Sequence, residues 1–163
     1  MTDIIKTDIC IIGAGSGGLT VAAVAAQLGA DTILIERGAM GGDCLNYGCV
    51  PSKALIKTGK TAHAQQHSAQ YGVANAAGAV DYAAAKDHVA NVISQIAPVD
   101  SVERFEGLGV RVIREYGRFI SDKEVQAGDT IITARRIVVA TGSSPLVPPI
   151  PGLKDVPYET NET

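Results

Sequence analysis

Several kinds of residue are scarce in this sequence, and each shortage narrows what the chain can be. It has no tryptophan, 4% aromatic residues and three cysteines among 163 residues. In a reducing compartment we expect three cysteines to be free, catalytic or metal-bound rather than structural. Its longest apolar run is far shorter than the roughly 20 residues that span a bilayer, and residues 1–6 lack the basic and apolar pattern of a signal peptide. The chain is therefore expected to be cytoplasmic and not to enter a membrane.

The chain also has no large excess of positive or negative charge. Fourteen basic and 17 acidic residues give a formal net charge of -3, which is no reason to expect nucleic acid or an anionic membrane as a partner. The length suits one domain with a sizeable core.

The N-terminal part predicts a parallel strand–helix–strand unit. Residues 9–12 form a short apolar run that suits a strand buried on both faces. A glycine-rich turn and a helix over residues 19–28, ended by Gly29, follow it. A second apolar run at residues 32–35 is closed by Glu36, at about the right distance for a parallel crossover.

The middle of the chain is predicted to be mainly helical. A helical segment is expected over residues 43–68, with interruptions near Gly48 and Pro51, and then a loop over residues 71–78. Asp81 is expected to cap a helix that runs to about residue 96, and Pro98 would break it. A capping box of Asp100 and Glu103 predicts the start of a second, short helix.

Beyond Gly109 the sequence becomes rich in residues that favour β-strands. Four short runs predict an antiparallel meander, at residues 110–113, 117–120, 124–126 and 130–133. One more buried strand is expected at residues 137–140, and a proline-rich linker follows. The predicted fold is α/β, a three-layer Rossmann-like domain with an antiparallel β-meander.

The glycine-rich turn predicts a dinucleotide site. Gly13 permits the tight turn, Gly15 lets a pyrophosphate approach the backbone, and Gly18 lets the helix pack close to the sheet. Glu36 lies 18 residues after Gly18, where a carboxylate can accept hydrogen bonds from a ribose. That carboxylate argues against a 2′-phosphate, and Arg37 is the only contrary hint. The alternative is a glycine-rich turn without a ligand.

Two cysteines five positions apart are the second candidate site. On an ideal helix the Cα atoms of Cys44 and Cys49 would be roughly 8–9 Å apart, whereas a disulfide needs about 4.4–6.8 Å. A disulfide therefore requires a distorted helix, and we expect the two cysteines to lie within disulfide reach even when they are reduced. Lys53 lies four residues after Cys49 and shares its helical face.

Two other interpretations of the cysteines remain open. They could be buried free thiols, since unpaired cysteine is often buried. They could also bind zinc together with His63 and His67, because the four residues have a spacing close to that of a zinc finger. Cys10, in the middle of the first strand, is expected to be a small core residue.

Residues 41–53 resemble the active-site motif of the class I pyridine nucleotide-disulfide oxidoreductases, a family that includes dihydrolipoamide dehydrogenase and mercuric reductase. The resemblance implies that Cys44 is the interchange thiol, that Cys49 is the charge-transfer thiol beside a flavin, and that Lys53 lies near the flavin. It implies further FAD-binding positions in chain order, namely Gly13, Gly15, Ser16, Gly17, Gly18, Glu36, Arg37, Gly42, Asp43, Tyr116, Gly117, Ala140, Thr141 and Gly142. No metal-binding residue is expected.

Two residues depart from that motif. Asp43 stands where the family usually has threonine, and a carboxylate there would repel a pyrophosphate unless it is turned away or hydrogen-bonded. Tyr47 replaces a small aliphatic residue. Both departures resemble mercuric-reductase-like sequences more than typical lipoamide dehydrogenases.

The resemblance also implies an activity and an architecture. The expected activity is FAD-dependent electron transfer between NAD(P)H and a small or protein-bound disulfide or dithiol, as in dihydrolipoamide dehydrogenase. Reduction of mercuric or another metal ion is one alternative, and a stand-alone nucleotide-binding redox module is another. Residues 1–150 are expected to form the FAD-binding domain, and residues 151–163 to begin a linker to a nicotinamide-binding domain. We expect a homodimeric parent enzyme, and a fragment of 163 residues that binds FAD poorly and is inactive.

Overall fold

The structure, a computed structural model, describes residues 3–76 and 78–162. Residues 1 and 2 of the predicted domain, residue 77 of the predicted loop and residue 163 of the predicted linker lie outside the described part.

The described residues form one six-stranded sheet. Its strands, in chain order, are β1 (Asp3–Ile12), β2 (Thr32–Ile35), β3 (Arg111–Ile113), β4 (Gly117–Phe119), β5 (Glu124–Ala127) and β6 (Thr130–Val139). They are arranged in the order β3-β2-β1-β6-β5-β4, with parallel pairing from β3 to β6 and antiparallel pairing from β6 to β4. The four parallel strands end in one row, because Ile12 is opposite both Ile35 and Val139, and Ile35 is opposite Ile113.

Five α-helices lie in the described part of the chain. They are α1 (Ser16–Gln27), α2 (Gly42–Asn46), α3 (Cys49–Gln66), α4 (Tyr82–Ile96) and α5 (Val102–Gly107), with short 3-10 turns at Ser68–Tyr71, Ala97–Asp100 and Leu153–Asp155. Over residues 3–76 and 78–162, none of these helices combines the length and the hydropathy that crossing a bilayer requires.

The core has two parts, one on each face of the parallel strands. On one face Ile11 and Leu34 pack with Leu19 of α1 and Phe105 of α5. On the opposite face Cys10, Ile12, Ile33 and Ile35 pack with Val125, Ala127, Ile132 and Ala134 of the antiparallel strands. Helices and antiparallel strands thus cover opposite faces of the parallel sheet, and the three-layer α/β fold expected from the sequence is confirmed.

Several local predictions are confirmed as well. The first strand, helix and second strand form a parallel unit, although β1 starts six residues earlier than the apolar run at residues 9–12. Asp81 caps α4, since its carboxylate accepts a hydrogen bond of 3.1 Å from the amide of Ala84.

Two predictions about the strands are wrong. Residues 111–113 do not belong to the meander, because β3 pairs in parallel with β2 at the far edge of the sheet. Residues 130–133 and 137–140 are not separate strands, because β6 is continuous from Thr130 to Val139 and pairs with β1 along almost its whole length. Arg135 and Arg136 interrupt the apolar sequence between the two predicted strands, and both are exposed on the continuous strand.

Two predictions about helix ends are also wrong. Ser101, rather than Asp100, caps α5 by accepting a hydrogen bond of 3.2 Å from the amide of Arg104. Pro51 does not interrupt a helix, because it lies in the first turn of α3, where a missing N–H costs no intrahelical hydrogen bond.

Two neighbouring glycines, Gly17 and Gly18, provide a matched test of how closely α1 packs against the glycine turn. A Cβ on Gly18 would lie 1.8 Å from the carbonyl oxygen of Gly13, whereas one on Gly17 would meet nothing within 4 Å. Gly18→Ala should lower the free energy of unfolding by roughly 2–3 kcal/mol, since helix and turn must separate. Gly17→Ala should change it by less than about 1 kcal/mol, toward greater stability. Urea unfolding of both variants measures the change in the free energy of unfolding. Equal changes in the two variants would contradict the prediction.

Candidate functional site

The carboxyl ends of the parallel strands bring the predicted dinucleotide residues to one edge of the sheet. The amide of Gly13 donates to the carbonyl of Ile35 at 2.8 Å, and the amide of Ala140 donates to the carbonyl of Ile12 at 2.8 Å. In parallel α/β sheets this edge is where ligands bind. The glycine turn, Glu36 and the turn after β6 are therefore neighbours, although more than 100 residues of chain separate the first from the last.

Glycines keep this edge free of side chains. Gly13 has a φ of +106°, and a Cβ there would lie 2.2 Å from the carbonyl oxygen of Ala140. Gly42 has a φ of +55°, and its Cβ would lie 2.7 Å from the Cα of Gly15. The start of α2 thus approaches the glycine turn backbone to backbone, and the two border one cleft.

That cleft has a volume of about 630 Å³. Nine of the predicted FAD-binding residues line it, namely Gly13, Gly15, Glu36, Arg37, Gly42, Asp43, Ala140, Thr141 and Gly142. A smaller cavity of about 240 Å³ adjoins them and is lined by Tyr116 and Gly117 together with Gly13, Glu36, Arg37 and Thr141. Gly18 is buried behind the turn, and Ser16 and Gly17 are exposed at the start of α1.

Helix α1 begins at the cleft with unpaired amide groups. Gly15 is its N-cap, and within the described residues no side chain accepts a hydrogen bond at this end and no acidic residue lies in its first turn. The first hydrogen bond of the helix is from the amide of Leu19 to the carbonyl of Gly15. The amides of residues 16–18 are consequently available to an anion.

Glu36 connects the glycine turn to the loop after β2. Its two carboxylate oxygens accept hydrogen bonds from the amide of Ala14 at 2.7 Å and from the amide of Gly38 at 2.6 Å. Arg114 donates to the carbonyl of Gly38, which holds the same loop. The carboxylate is therefore fixed at the edge of the cleft before any ligand arrives.

Arg37 and Tyr116 border the smaller cavity together. The guanidinium group of Arg37 lies 5.4 Å from the centre of the Tyr116 ring, a distance typical of a cation–π contact. A flat aromatic ligand in this cavity would meet an aromatic ring and a guanidinium plane.

A break between two helices separates the cysteines. Cys44 lies in α2, Cys49 is the first residue of α3, and the chain between them leaves the helical conformation at Gly48, with φ of -114° and ψ of -109°. A Cβ on Gly48 would lie 2.6 Å from Oδ2 of Asp43, so a larger residue at the break would displace the Asp43 side chain. The predicted distortion of the helix is thus present.

The two thiols interact, although both are free cysteines. A hydrogen bond to Cys49 raises the pKa of the Cys44 thiol above its usual range. Burial and the charge of Cys49 also raise this pKa, whereas a hydrogen bond to the backbone of Cys49 and, to a smaller extent, the charge of Lys53 lower it. Lys53 is exposed and is close enough for its charge to be felt at Cys44.

Asp43, the residue that departs from the family motif, has a hydrogen-bonding partner far away in sequence. Its Oδ1 accepts a hydrogen bond of 2.8 Å from Nδ2 of Asn161. Asn161 and Glu162 line the same cleft as the glycine turn. They are missing from the sequence-based site because no local pattern connects residues 118 positions apart.

The zinc interpretation fails on distance. His63 and His67 lie near the end of α3 with their rings stacked at 4.0 Å. His63 is 14 residues after Cys49, or about 21 Å along the helix. Among the described residues no group of three or more His, Cys, Asp or Glu side chains could hold a metal ion. Cys10 is fully buried in the core, as expected, and burial raises the pKa of its thiol to about 11.

Comparison with known proteins gives one family. The profile of the pyridine nucleotide-disulphide oxidoreductases matches residues 7–162. The chain is 36% identical to a mercuric reductase of Staphylococcus aureus over 94% of its own length and 28% of that protein. It is 39% identical to the mitochondrial dihydrolipoyl dehydrogenase 1 of Arabidopsis thaliana, over 91% of its length and 30% of that protein.

A solved structure with a similar fold is also a disulfide reductase. The fold superposes with a TM-score of 0.72 and 28% identity on the Cu(II) complex of the HOCl-induced flavoprotein disulfide reductase RclA from Escherichia coli. The match covers 92% of this chain and 31% of that one. The chain therefore spans under a third of the proteins that it resembles.

The hydrogen bond between the thiols makes a prediction about their reactivity. Because Cys49 raises the pKa of Cys44, Cys49→Ala should lower that pKa and increase the thiolate fraction at a given pH. The rate of Cys44 alkylation by iodoacetamide should then rise at lower pH than in the parent protein. Lys53→Met should shift the profile in the opposite direction.

Mass spectrometry of the alkylated peptide measures this rate for Cys44 alone. Cys10 serves as an internal control, because its buried thiol should remain unmodified in every variant. A profile for Cys49→Ala at the same pH as the parent, or at higher pH, would contradict the prediction.

Proposed function

This chain belongs to the pyridine nucleotide-disulphide oxidoreductase family, and we propose that it is the FAD-binding part of an enzyme that transfers electrons between NAD(P)H and a disulfide or dithiol. The observation that supports this most is the adjacency of two interacting thiols to a glycine-lined cleft. Gly42 and Asp43 line the cleft, and Cys44 is the next residue along α2.

The cleft fits the pyrophosphate of a dinucleotide. Its floor is bare backbone at Gly13, Gly15 and Gly42, where a side chain would fill the space or collide with its neighbour. The free amides at the start of α1 supply hydrogen-bond donors and the positive end of the helix dipole. We propose that Ser16, Gly17 and Gly18 contribute these amides and that Thr141 and Gly142 border the opposite side.

The smaller cavity fits an adenosine group. We propose that Glu36, whose carboxylate is fixed by two backbone amides, accepts hydrogen bonds from the ribose. The backbone at Tyr116 and Gly117 would then meet the adenine, with Arg37 over the Tyr116 ring. A carboxylate in this place disfavours a 2′-phosphate, which is consistent with FAD rather than NADP at this site.

The thiols would perform the exchange with substrate. FAD, when bound, supplies a two-electron acceptor or donor beside the cysteine pair. In the oxidised enzyme a substrate thiolate attacks the Cys44 sulfur, forming a mixed disulfide and releasing the Cys49 thiolate. The second substrate thiolate attacks the substrate sulfur of that mixed disulfide and releases Cys44. The substrate leaves as a disulfide, and its two electrons remain on Cys44 and Cys49.

The break at Gly48 and the charge of Lys53 assist this exchange. The chain breaks at Gly48, between the helices that carry the two thiols. The ammonium group of Lys53 lowers the pKa of Cys44 and so partly offsets the effect of the hydrogen bond to Cys49. We propose Cys44 as the interchange thiol and Cys49 as the thiol that faces the flavin.

The domain assignment remains our proposal. Residues 1–150 would form the FAD-binding domain, and residues 151–163 would lead toward a nicotinamide-binding domain of a homodimeric enzyme. The support is that the relatives match this chain over only about 30% of their own length.

Reduction of a metal ion is a second candidate. Relatives at similar identity are named mercuric reductases and dihydrolipoyl dehydrogenases, and two adjacent thiols are soft ligands suited to such an ion. Parallel assays with lipoamide and with Hg²⁺ distinguish the two.

Replacing the thiols tests the proposed activity. In the purified flavoprotein, Cys44→Ser and Cys49→Ser should each retain FAD, because neither side chain lines the cleft, and should lose roughly a thousandfold in NAD(P)H-dependent reduction. Cys10→Ala should retain turnover, since that residue lies in the core. Full turnover by Cys44→Ser with both substrates would reject the proposal.

Glu36 tests the identity of the ligand. Glu36→Ala should weaken FAD binding by about 1.5–3 kcal/mol, since it removes charged hydrogen bonds. Titration of the flavin-free protein with FAD, followed by flavin fluorescence, gives the affinity. Glu103→Ala, at an exposed position on α5, should leave it unchanged. An unaltered affinity in Glu36→Ala would show that this carboxylate does not hold the ribose.

A further inference from the structure

An acidic residue lies in the cleft that we assign to a pyrophosphate. Asp43 lines this cleft together with Gly13, Gly15 and Thr141. Its carboxylate and the pyrophosphate carry charges of the same sign, and two such charges repel one another by about 1 kcal/mol at 4 Å even in water. A free Asp43 would therefore weaken binding of the dinucleotide.

The structure shows what holds this carboxylate. Oδ1 accepts the hydrogen bond from Nδ2 of Asn161, which lies on the segment after β6. Oδ2 lies on the side of Gly48, where the glycine has no Cβ to displace it. The hydrogen bond from Asn161 is therefore the contact that restrains the carboxylate.

We infer that Asn161 is a positioning residue that restrains the Asp43 carboxylate and thereby favours retention of FAD. This inference rests on the proposed function, because it takes the cleft to be the FAD pyrophosphate site. The amide group suits the task, since its N–H₂ donates to a carboxylate without adding a charge. A carboxylate at position 161 would instead place another negative charge directly beside Asp43, in a cleft that Glu36 and Glu162 also line.

The pair can be tested by exchanging its two partners. Asn161→Ala releases the carboxylate and should weaken FAD binding roughly threefold to tenfold. Asn161→Asp sets two carboxylates against each other and should weaken it roughly tenfold to a hundredfold. Adding Asp43→Asn to Asn161→Asp restores one donor and one acceptor with the roles reversed, so affinity should return to within about threefold of the parent.

The measurement is an FAD titration of the flavin-free full-length enzyme and its variants, at low and high salt. Screening should reduce the loss in Asn161→Asp at high salt, whereas a purely structural defect would persist. Asn91→Ala, an exposed asparagine on α4, is the matched control and should bind like the parent. Far-UV circular dichroism verifies that each variant is folded. If Asn161→Asp does not fold, Asn161→Ala provides the test.

The outcomes separate this inference from the proposed function. If the parent binds FAD and both Asn161 variants bind it within twofold of the parent, Asn161 has no positioning role. If Asn161→Asp loses as much in the Asp43→Asn background as alone, Asn161 does not act through Asp43. If the proposed full-length enzyme itself binds no FAD, the proposed function fails and this inference fails with it.

Discussion

The close approach of bare backbone at the carboxyl ends of the parallel strands is the constraint on which the rest of this structure depends. Gly18 touches the carbonyl of Gly13, Gly13 touches the carbonyl of Ala140, and Gly42 touches the Cα of Gly15. Each contact joins a different segment to the same turn. A side chain at Gly18 would separate α1 from the turn, and one at Gly42 would separate α2 from the turn. Gly13 and Gly42 also line the cleft, so packing and the open cleft depend on the same residues there.

The position of the thiols follows from that approach. Because α2 begins against the glycine turn, Cys44 is held one residue beyond the cleft, and the break at Gly48 starts α3 with Cys49 beside it. Asn46 stabilises this arrangement by donating to the carbonyls of Met40 and Gly42 at 3.1 and 2.8 Å. The hydrogen bond to Cys49 raises the pKa of Cys44, which disfavours the thiolate of Cys44 while both thiols are reduced.

Patterns within about 20 residues were sufficient to predict the parallel unit, the glycine turn, the Asp81 cap and the disrupted helix between the cysteines. The errors arose where distant contacts decide the structure. Arg135 and Arg136 interrupt an otherwise apolar sequence, but pairing with β1 keeps β6 continuous through them, and Arg135 forms an ion pair of 2.9 Å with Asp8. Residues 111–113 have the same strand-forming composition as the meander, and only their pairing with β2 assigns them to the parallel layer. Local propensity does not contain that information.

Asp43 shows how a departure from a family motif should be interpreted. By charge alone, an aspartate beside a phosphate site and next to a reactive cysteine is unfavourable, and an argument from neighbouring residues would predict weaker ligand binding. Its hydrogen bond with Asn161, 118 positions away, supplies the restraint that local sequence lacks. How strongly the Asp43 carboxylate repels a bound anion depends on where its side chain is held. That position depends on Asp43 and Asn161 together. A substitution at either position should therefore be judged with the other, because exchanging one partner alone changes both the charge and the geometry of the cleft.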